Sequence, residues 1–147
     1  MELPPQKFRE IVFLLLFSLD ACKEIESELV PFLMQELSVS KKHVAAAFEK
    51  ALNIWKQLEL LDRVLCEESK EYSFDRIKTV EKNVLRVALY ELLIEKELNT
   101  KIIISEAHRL TRKFGTIEGA SFVNALLDGL EKTDGSTLSA SERATAQ

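Results

Sequence analysis

Residues 80–93, VEKNVLRVALYELL, constrain the fold of this chain more than any other stretch. Apolar residues recur there at helical spacing and form one wide stripe, which consists of Val84, Leu85, Ala88, Leu89, Leu92 and Leu93. Thr79 precedes the stretch, and its hydroxyl can accept a hydrogen bond from a free backbone amide, so we place the N-cap there. A helix with so wide an apolar face must be packed on several sides, which predicts the core of a helical domain.

The composition favours an all-α protein with a single domain. The chain has 147 residues with only 4 Gly and 3 Pro, and it contains no alternating strand pattern bounded by turn residues. We expect the domain to span residues 1–132 and residues 133–147, which have almost no large apolar side chains, to form a flexible tail. The apolar run 11–17 is too short to span a bilayer and lacks signal-peptide flanks, so the protein is expected to be cytoplasmic.

Helical periodicity predicts the remaining elements. We expect helices at 5–20, 25–37 with an interruption at Pro31, 41–67 as one long helix, 101–114 and 118–131. Ser40 and Thr100 are the expected N-caps, and Gly115 stands at the expected end of its helix. The side chains expected in the core include Phe48, Trp55, Leu85, Leu89, Leu110 and Leu126.

The sequence carries no enzyme signature, so no catalytic residue, cofactor or metal is predicted. It contains no P-loop, GxGxxG, HExxH or GxSxG motif. Cys22 and Cys66 are isolated and form no plausible metal set with His43 and His108. His108 has no neighbouring nucleophile and is interpreted as a surface histidine. Three acids could be imagined as a cluster, Glu81, Glu91 and Glu106, but none has a His three residues later, as di-metal bundles require.

Two local concentrations of basic residues stand out against a net charge of −4. One, in 101–114, contains Lys101, Arg109, Arg112 and Lys113 against Glu106. The other, in 76–86, contains Arg76, Lys78, Lys82 and Arg86 against Glu81. Such runs usually form a solvated face. The alternative is an RNA surface, because Phe114 and Phe122 could stack on unpaired bases.

Three ordered blocks, VEKNVLRVALYEL, ISEAHRLTRKFGT and SFVNALLDGL, resemble the C-terminal signature of the NusB family, and KFREIVFLLLFSLD is similar to the family's first helix. The resemblance implies about seven helices in two small helical subdomains around a shared long helix, without catalysis. It further implies an adaptor that pairs with NusE, a small-subunit ribosomal protein. Together the two proteins bind boxA RNA, so that RNA polymerase in its antitermination complex reads through ribosomal RNA operons.

The resemblance also assigns roles to residues. It places RNA binding at Lys7, Arg9, Lys113, Phe114, Gly115, Thr116, Glu118 and Phe122. It places NusE binding on the central helix, at an exposed Glu81 with Lys82, Val84 and Tyr90 nearby. Family members commonly carry several arginines at the N-terminus, whereas ELPPQKFRE has only two basic residues. Because each phosphate contact adds salt-dependent affinity, we expect weak RNA binding by the free protein, strengthened by NusE.

Three interpretations follow from this resemblance. The first is an RNA-binding adaptor, and the second is a protein-interaction module that pairs with NusE but has little RNA affinity of its own. The third is a fragment of a ribosomal RNA cytosine methyltransferase, which the absence of a cofactor-binding domain after the last helix disfavours. A homodimer that masks the RNA face is compatible with the apolar excess of the first helix.

Overall fold

The computed structural model describes residues 3–22, 28–69 and 73–132, and these residues contain seven α-helices and no strand. The helices are α1 (Pro5–Cys22), α2 (Leu29–Glu36), α3 (Lys41–Lys56), α4 (Leu58–Glu68), α5 (Thr79–Tyr90), α6 (Thr100–Phe114) and α7 (Ile117–Lys132). A 3-10 turn, Phe74–Arg76, precedes α5, and a π turn, Glu91–Glu95, continues it. The predicted all-α fold is therefore confirmed. The predicted tail at 133–147, the helix start at 25–27 and the loop residues 70–72 lie outside the described residues.

The chain divides into two compact units, and the first unit is Met1–Lys56. Within it, α1 and α2 both pack against α3. The apolar run of α1 is buried almost all round, which explains why its sequence shows no clean polar face. Pro31 does not interrupt a helix, because it lies in the first turn of α2, where a missing N–H removes no helical hydrogen bond. No helix in the described residues is both long and apolar enough to cross a membrane.

The predicted long helix at 41–67 is wrong, because α3 ends at Lys56 and α4 begins at Leu58. Gln57 between them has φ −105° and ψ 15°, outside the helical region. Neither Pro nor Gly is present to mark this break in the sequence. Its cause is tertiary: α3 packs on α1 and α2 in the first unit, whereas α4 packs on α5 and α7 in the second.

The second unit, Gln57–Gln147, is built around α5, which packs against α4, α6 and α7. Its predicted core residues, Leu85, Leu89, Leu110 and Leu126, are all buried. In α3 of the first unit, Phe48 and Trp55 were also predicted to be buried, but both are only half-buried. The buried face of α3 is instead made by Val44, Ala47, Ala51 and Ile54.

Helix termini were predicted correctly at two positions and wrongly at two others. Ser40 caps α3, since its Oγ accepts the backbone N–H of His43 at 3.3 Å, and Gly115 is the C-cap of α6. Thr79 and Thr100, by contrast, are the first helical residues of α5 and α6. The cap positions are Lys78 and Asn99, whose extended backbones (ψ 152° and 137°) precede each helix by one residue.

Candidate functional site

The turn between α6 and α7, residues 115–116, brings together most of the predicted RNA-binding residues. Lys113 is exposed in the last turn of α6, with its Nζ 5.7 Å from the ring centroid of the half-buried Phe114. Gly115 and Thr116 are also exposed. Thr116 caps α7, because its Oγ1 accepts the backbone N–H of Gly119 at 2.9 Å.

The first turns of α7 add an acid and an aromatic ring to this surface. Glu118 is exposed, Phe122 is half-buried, and Ile117 between the turn and Glu118 is 67% exposed. A helix N-terminus carries a partial positive charge and free amides that suit anions. The α6–α7 turn therefore combines a cation, a helix N-terminus and an aromatic side chain, which are the groups that contact phosphates and unpaired bases.

Glu81 does not lie on an exposed face, so the prediction of an exposed Glu81 is wrong. The residue is only 8% exposed, and the start of α7 lies directly over it. A Cβ at Gly119 would overlap the Glu81 carboxylate and lie 3.1 Å from Thr116 Oγ1, so only a glycine permits this approach. Burial raises the pKa of the Glu81 carboxyl above its ordinary value, and the nearby positive charge of Lys78 opposes that rise.

A cleft of about 200 Å³ opens beside this contact, and we call it the Glu81 cleft. Arg76, Lys78 and Glu81 line it on one side, and Glu118, Gly119 and Phe122 on the other. The residues that the sequence assigned separately to RNA and to a protein partner therefore meet at a single place in the second unit.

The other predicted partner residues do not share a face with Glu81. Val84 is completely buried, as its place in the apolar stripe predicted, so its side chain is not accessible for the partner contact that the resemblance assigned to it. Tyr90 lies nine residues beyond Glu81, which at about 100° per residue places it on the opposite side of α5. Lys82 and Tyr90 are both half-buried, and Lys82 Nζ lies 4.2 Å from the ring centroid of Phe74. Burial, followed by the negative charge of Glu95, raises the pKa of Tyr90, so its hydroxyl stays protonated at neutral pH.

The two predicted RNA-binding residues of α1 belong to the first unit and differ in exposure. Lys7 is half-buried near the start of α1. Arg9 is only 7% exposed, which leaves little of its guanidinium for contact with another molecule.

In each of the two predicted basic patches, one arginine forms an ion pair with an acid of the second unit. Arg86 is buried, and its guanidinium donates to both carboxylate oxygens of Asp62 at 2.9 and 2.8 Å and to Asn83 Oδ1 at 2.9 Å. Arg109 donates to both oxygens of Glu106, at 2.9 and 3.1 Å. Both arginines therefore have structural roles, whereas Lys101, Arg112 and Lys113 are exposed.

Sequence reasoning missed Gly119 as part of this site. A glycine inside a helical pattern commonly marks a close packing contact, and that signal was present in the sequence. His108 is half-buried rather than on the surface, and its Nδ1 has no hydrogen-bond partner in the described part of the chain. Cys22 and Cys66 are exposed free thiols, and no group of three His, Cys, Asp or Glu side chains in the described ranges could hold a metal ion.

Comparison with known proteins accounts for this arrangement of helices. The model of the NusB family matches residues 6–132. The transcription antitermination protein NusB of Chlamydia pneumoniae is 40% identical over 129 residues, which cover 88% of this chain and 81% of the relative. A solved structure of T. maritima NusB is 30% identical, with a TM-score of 0.74 over 90% of this chain and 93% of that one.

A second solved structure shares the fold at 24% identity, with a TM-score of 0.72 over 87% of this chain and 96% of that one. It is described as the antitermination factors NusB and NusE in complex with dsRNA. The match of the family model over most of the chain and the 40% identity to a curated relative lead to one conclusion: this chain belongs to the NusB family.

Proposed function

We propose that this chain is a non-catalytic adaptor of transcription antitermination, which pairs with NusE and binds boxA RNA so that RNA polymerase reads through ribosomal RNA operons. The observation that carries the RNA part is the α6–α7 turn, where an exposed lysine, a capped helix N-terminus and a half-buried phenylalanine lie together. A structural relative described as NusB and NusE in complex with dsRNA provides the precedent for both partners.

The RNA path is expected to use residues in both units. In the second unit these are Lys113, Phe114, Gly115, Thr116, Glu118 and Phe122. In the first unit they are Lys7 and Arg9, of which Lys7 is the more accessible. Lys113 is the strongest candidate for a phosphate contact, because it is exposed and adjoins the helix N-terminus that would bind the next anion.

A titration of boxA-like RNA with the chain alone and with its cognate NusE tests this function. We expect Lys113→Glu to weaken binding of the RNA by the NusE pair, because it replaces a phosphate contact with a repelling charge. When salt rises from about 50 to 200 mM, the ratio of wild-type to variant affinity should fall by roughly two- to threefold for each phosphate contact removed, because the variant releases fewer counterions from the single-stranded boxA RNA than the wild type does.

Lys101→Glu is the matched control for this titration. Lys101 is also an exposed lysine of α6, but it lies at the opposite end of the helix from the α6–α7 turn. The control should therefore keep RNA affinity close to that of the wild type. Equal binding of the wild type and Lys113→Glu at both salt concentrations would contradict the proposed RNA path.

The burial of Arg9 favours a second candidate function, a module that pairs with NusE and has little RNA affinity of its own. The two candidates differ in the titration without NusE. Salt-dependent binding by the free chain supports the RNA-binding adaptor, whereas binding seen only after NusE is added supports the protein-interaction module.

A further inference from the structure

The short segment 76–78 presents two exposed cations beside the α6–α7 turn. Arg76 ends the 3-10 turn that precedes α5, and Lys78 occupies the N-cap position of α5. Both side chains line the Glu81 cleft. A helix dipole disfavours a cation at the N-terminus, so the position of Lys78 is not one that the stability of α5 selects.

The backbone of this segment directs both cations to the same side. Ile77 between them is buried, and Ile77 and Lys78 have extended backbone angles, with ψ 126° and 152°. Side chains on either side of an extended residue point to the face opposite its own, about 6–7 Å apart along the chain. Lys82 Nζ lies 4.2 Å from the ring centroid of Phe74, which ties the 3-10 turn to α5. The two charges therefore project from a fixed backbone, each able to meet a different phosphate.

The α6–α7 turn packs directly on the start of α5, so this segment adjoins the candidate RNA surface. A Cβ at Gly115 would lie 3.1 Å from Val80 Cγ1, and Gly119 lies against Glu81. Phe122 of α7 lines the same cleft as the two cations. A strand that crosses the turn can therefore continue onto the segment without leaving the second unit.

We propose that the RNA surface of the α6–α7 turn extends onto segment 76–78, where Arg76 and Lys78 bind neighbouring phosphates of the same single strand. This placement rests on the proposed function. Guanidinium and ammonium groups both bind phosphate, which makes an RNA strand the occupant that the charge favours. The extension also adds phosphate contacts to a chain whose N-terminus contributes only Lys7 and the buried Arg9.

The two acids of the cleft offset this charge only in part. Burial raises the pKa of Glu81 and the charge of Lys78 lowers it, so Lys78 already interacts with one acid. Glu118 lies on the α7 side of the cleft, and Arg76 forms no ion pair within the described residues. Arg76 is therefore expected to make the stronger of the two phosphate contacts.

The test titrates boxA-like single-stranded RNA with the preformed complex of this chain and its cognate NusE, at about 50 and 200 mM salt. Wild type is compared with Arg76→Gln and Lys78→Gln. Loss of one phosphate contact lowers the slope of log affinity against log salt by about 0.7 for a single strand. A contact made through counterion release alone then accounts for about eightfold in affinity at 50 mM and about threefold at 200 mM. Arg76→Gln should show the full loss and Lys78→Gln a smaller one.

Arg63→Gln is the matched control, because Arg63 is an exposed arginine of α4 that does not line the cleft. It should keep the RNA affinity of the wild type. All three variants change exposed side chains, so their thermal unfolding should stay close to that of the wild type. An RNA of the same length with a scrambled sequence should show the same fold losses, since phosphate contacts carry no sequence information. Affinity for NusE without RNA should be the same for Arg76→Gln and the wild type.

Four results would overturn the proposal. Equal RNA affinity of the wild type and Arg76→Gln at both salt concentrations would reject the phosphate contacts, while RNA binding by the wild-type complex would leave the proposed function intact. A loss confined to the boxA sequence would make the segment a base-reading site. Weaker binding of NusE alone by Arg76→Gln would make Arg76 a protein contact. Finally, a wild-type complex that does not bind the RNA at either salt concentration would reject the proposed function as well.

Discussion

At the scale of single residues, the charged groups of the second unit divide into those that hold the fold and those that face outward. Arg86 looks like part of a surface patch in the sequence, yet its guanidinium is buried and bound to Asp62 and Asn83. Lys113 belongs to a similar run and is exposed. Helical periodicity does not show which of these basic residues is paired and which is exposed, because the partner of Arg86 lies 24 residues away on another helix.

The Arg86–Asp62 pair gives the prediction at this scale. Asp62→Ala should lower the free energy of unfolding by about 2–4 kcal/mol, because it leaves a buried guanidinium without its counter-ion. We place the value toward the lower part of the range for buried pairs, since the Asp62 side chain is 23% exposed. Urea unfolding followed by circular dichroism measures the change. Glu59→Ala, an exposed acid of the same helix, should stay within about 0.5 kcal/mol of the wild type, and equal losses for both variants would contradict the prediction.

At the scale of elements, the sequence placed most helices correctly and misplaced some of their ends. The ends of α5 and α6 were wrong by one residue, because threonine was taken as the cap in both cases. In α6 the true cap is Asn99, whose Oδ1 accepts the backbone N–H of Lys101 at 2.8 Å. Asn caps at least as well as Thr, so two neighbouring candidates could not be separated without the backbone angles.

Substitution of the two candidate caps separates them directly. Asn99→Ala should destabilise the protein by about 1 kcal/mol, because a backbone N–H of α6 loses its acceptor. Thr100→Ala should change stability by less than about 0.5 kcal/mol, since Thr100 already lies within the helix. Thermal unfolding of both variants measures the difference. A larger loss of stability for Thr100→Ala than for Asn99→Ala would contradict this and make Thr100 the cap.

At the scale of the whole molecule, the sequence predicted an all-α fold and the core of the second unit. These depend on α5, whose apolar stripe is wide enough to require neighbours on several sides, and α4, α6 and α7 supply them. The resemblance implied two small helical subdomains, but the position of the division at Gln57 was not predicted, because the apolar spacing continues across it without a Pro or Gly. The structure forms two compact units, and the prediction that residues 1–132 act as one domain remains a prediction.

Leu89 tests the role of α5 as the centre of the second unit. Leu89→Ala should cost about 2–5 kcal/mol, because Leu89 is fully buried and the cavity left behind can close only in part. Leu98→Ala is the matched control, since Leu98 is 41% exposed and should cost under about 1 kcal/mol. Denaturant unfolding of both variants measures the two costs. A loss for Leu89→Ala no larger than that of the control would remove Leu89 from the core.

The sequence by itself determined most of the helices and the core face of α5. Both follow from the spacing and type of residues close together in the chain, which act through helical periodicity and capping. The α6–α7 turn became a candidate RNA surface through the resemblance to the NusB family. Only the tertiary structure decided that Glu81 is buried and that Arg86 is paired. Those outcomes depend on Gly119 and Asp62, 38 and 24 residues away along the chain, and on helices packed close enough to exclude water. Desolvation is a property of that packing, so no local pattern around Glu81 contains it.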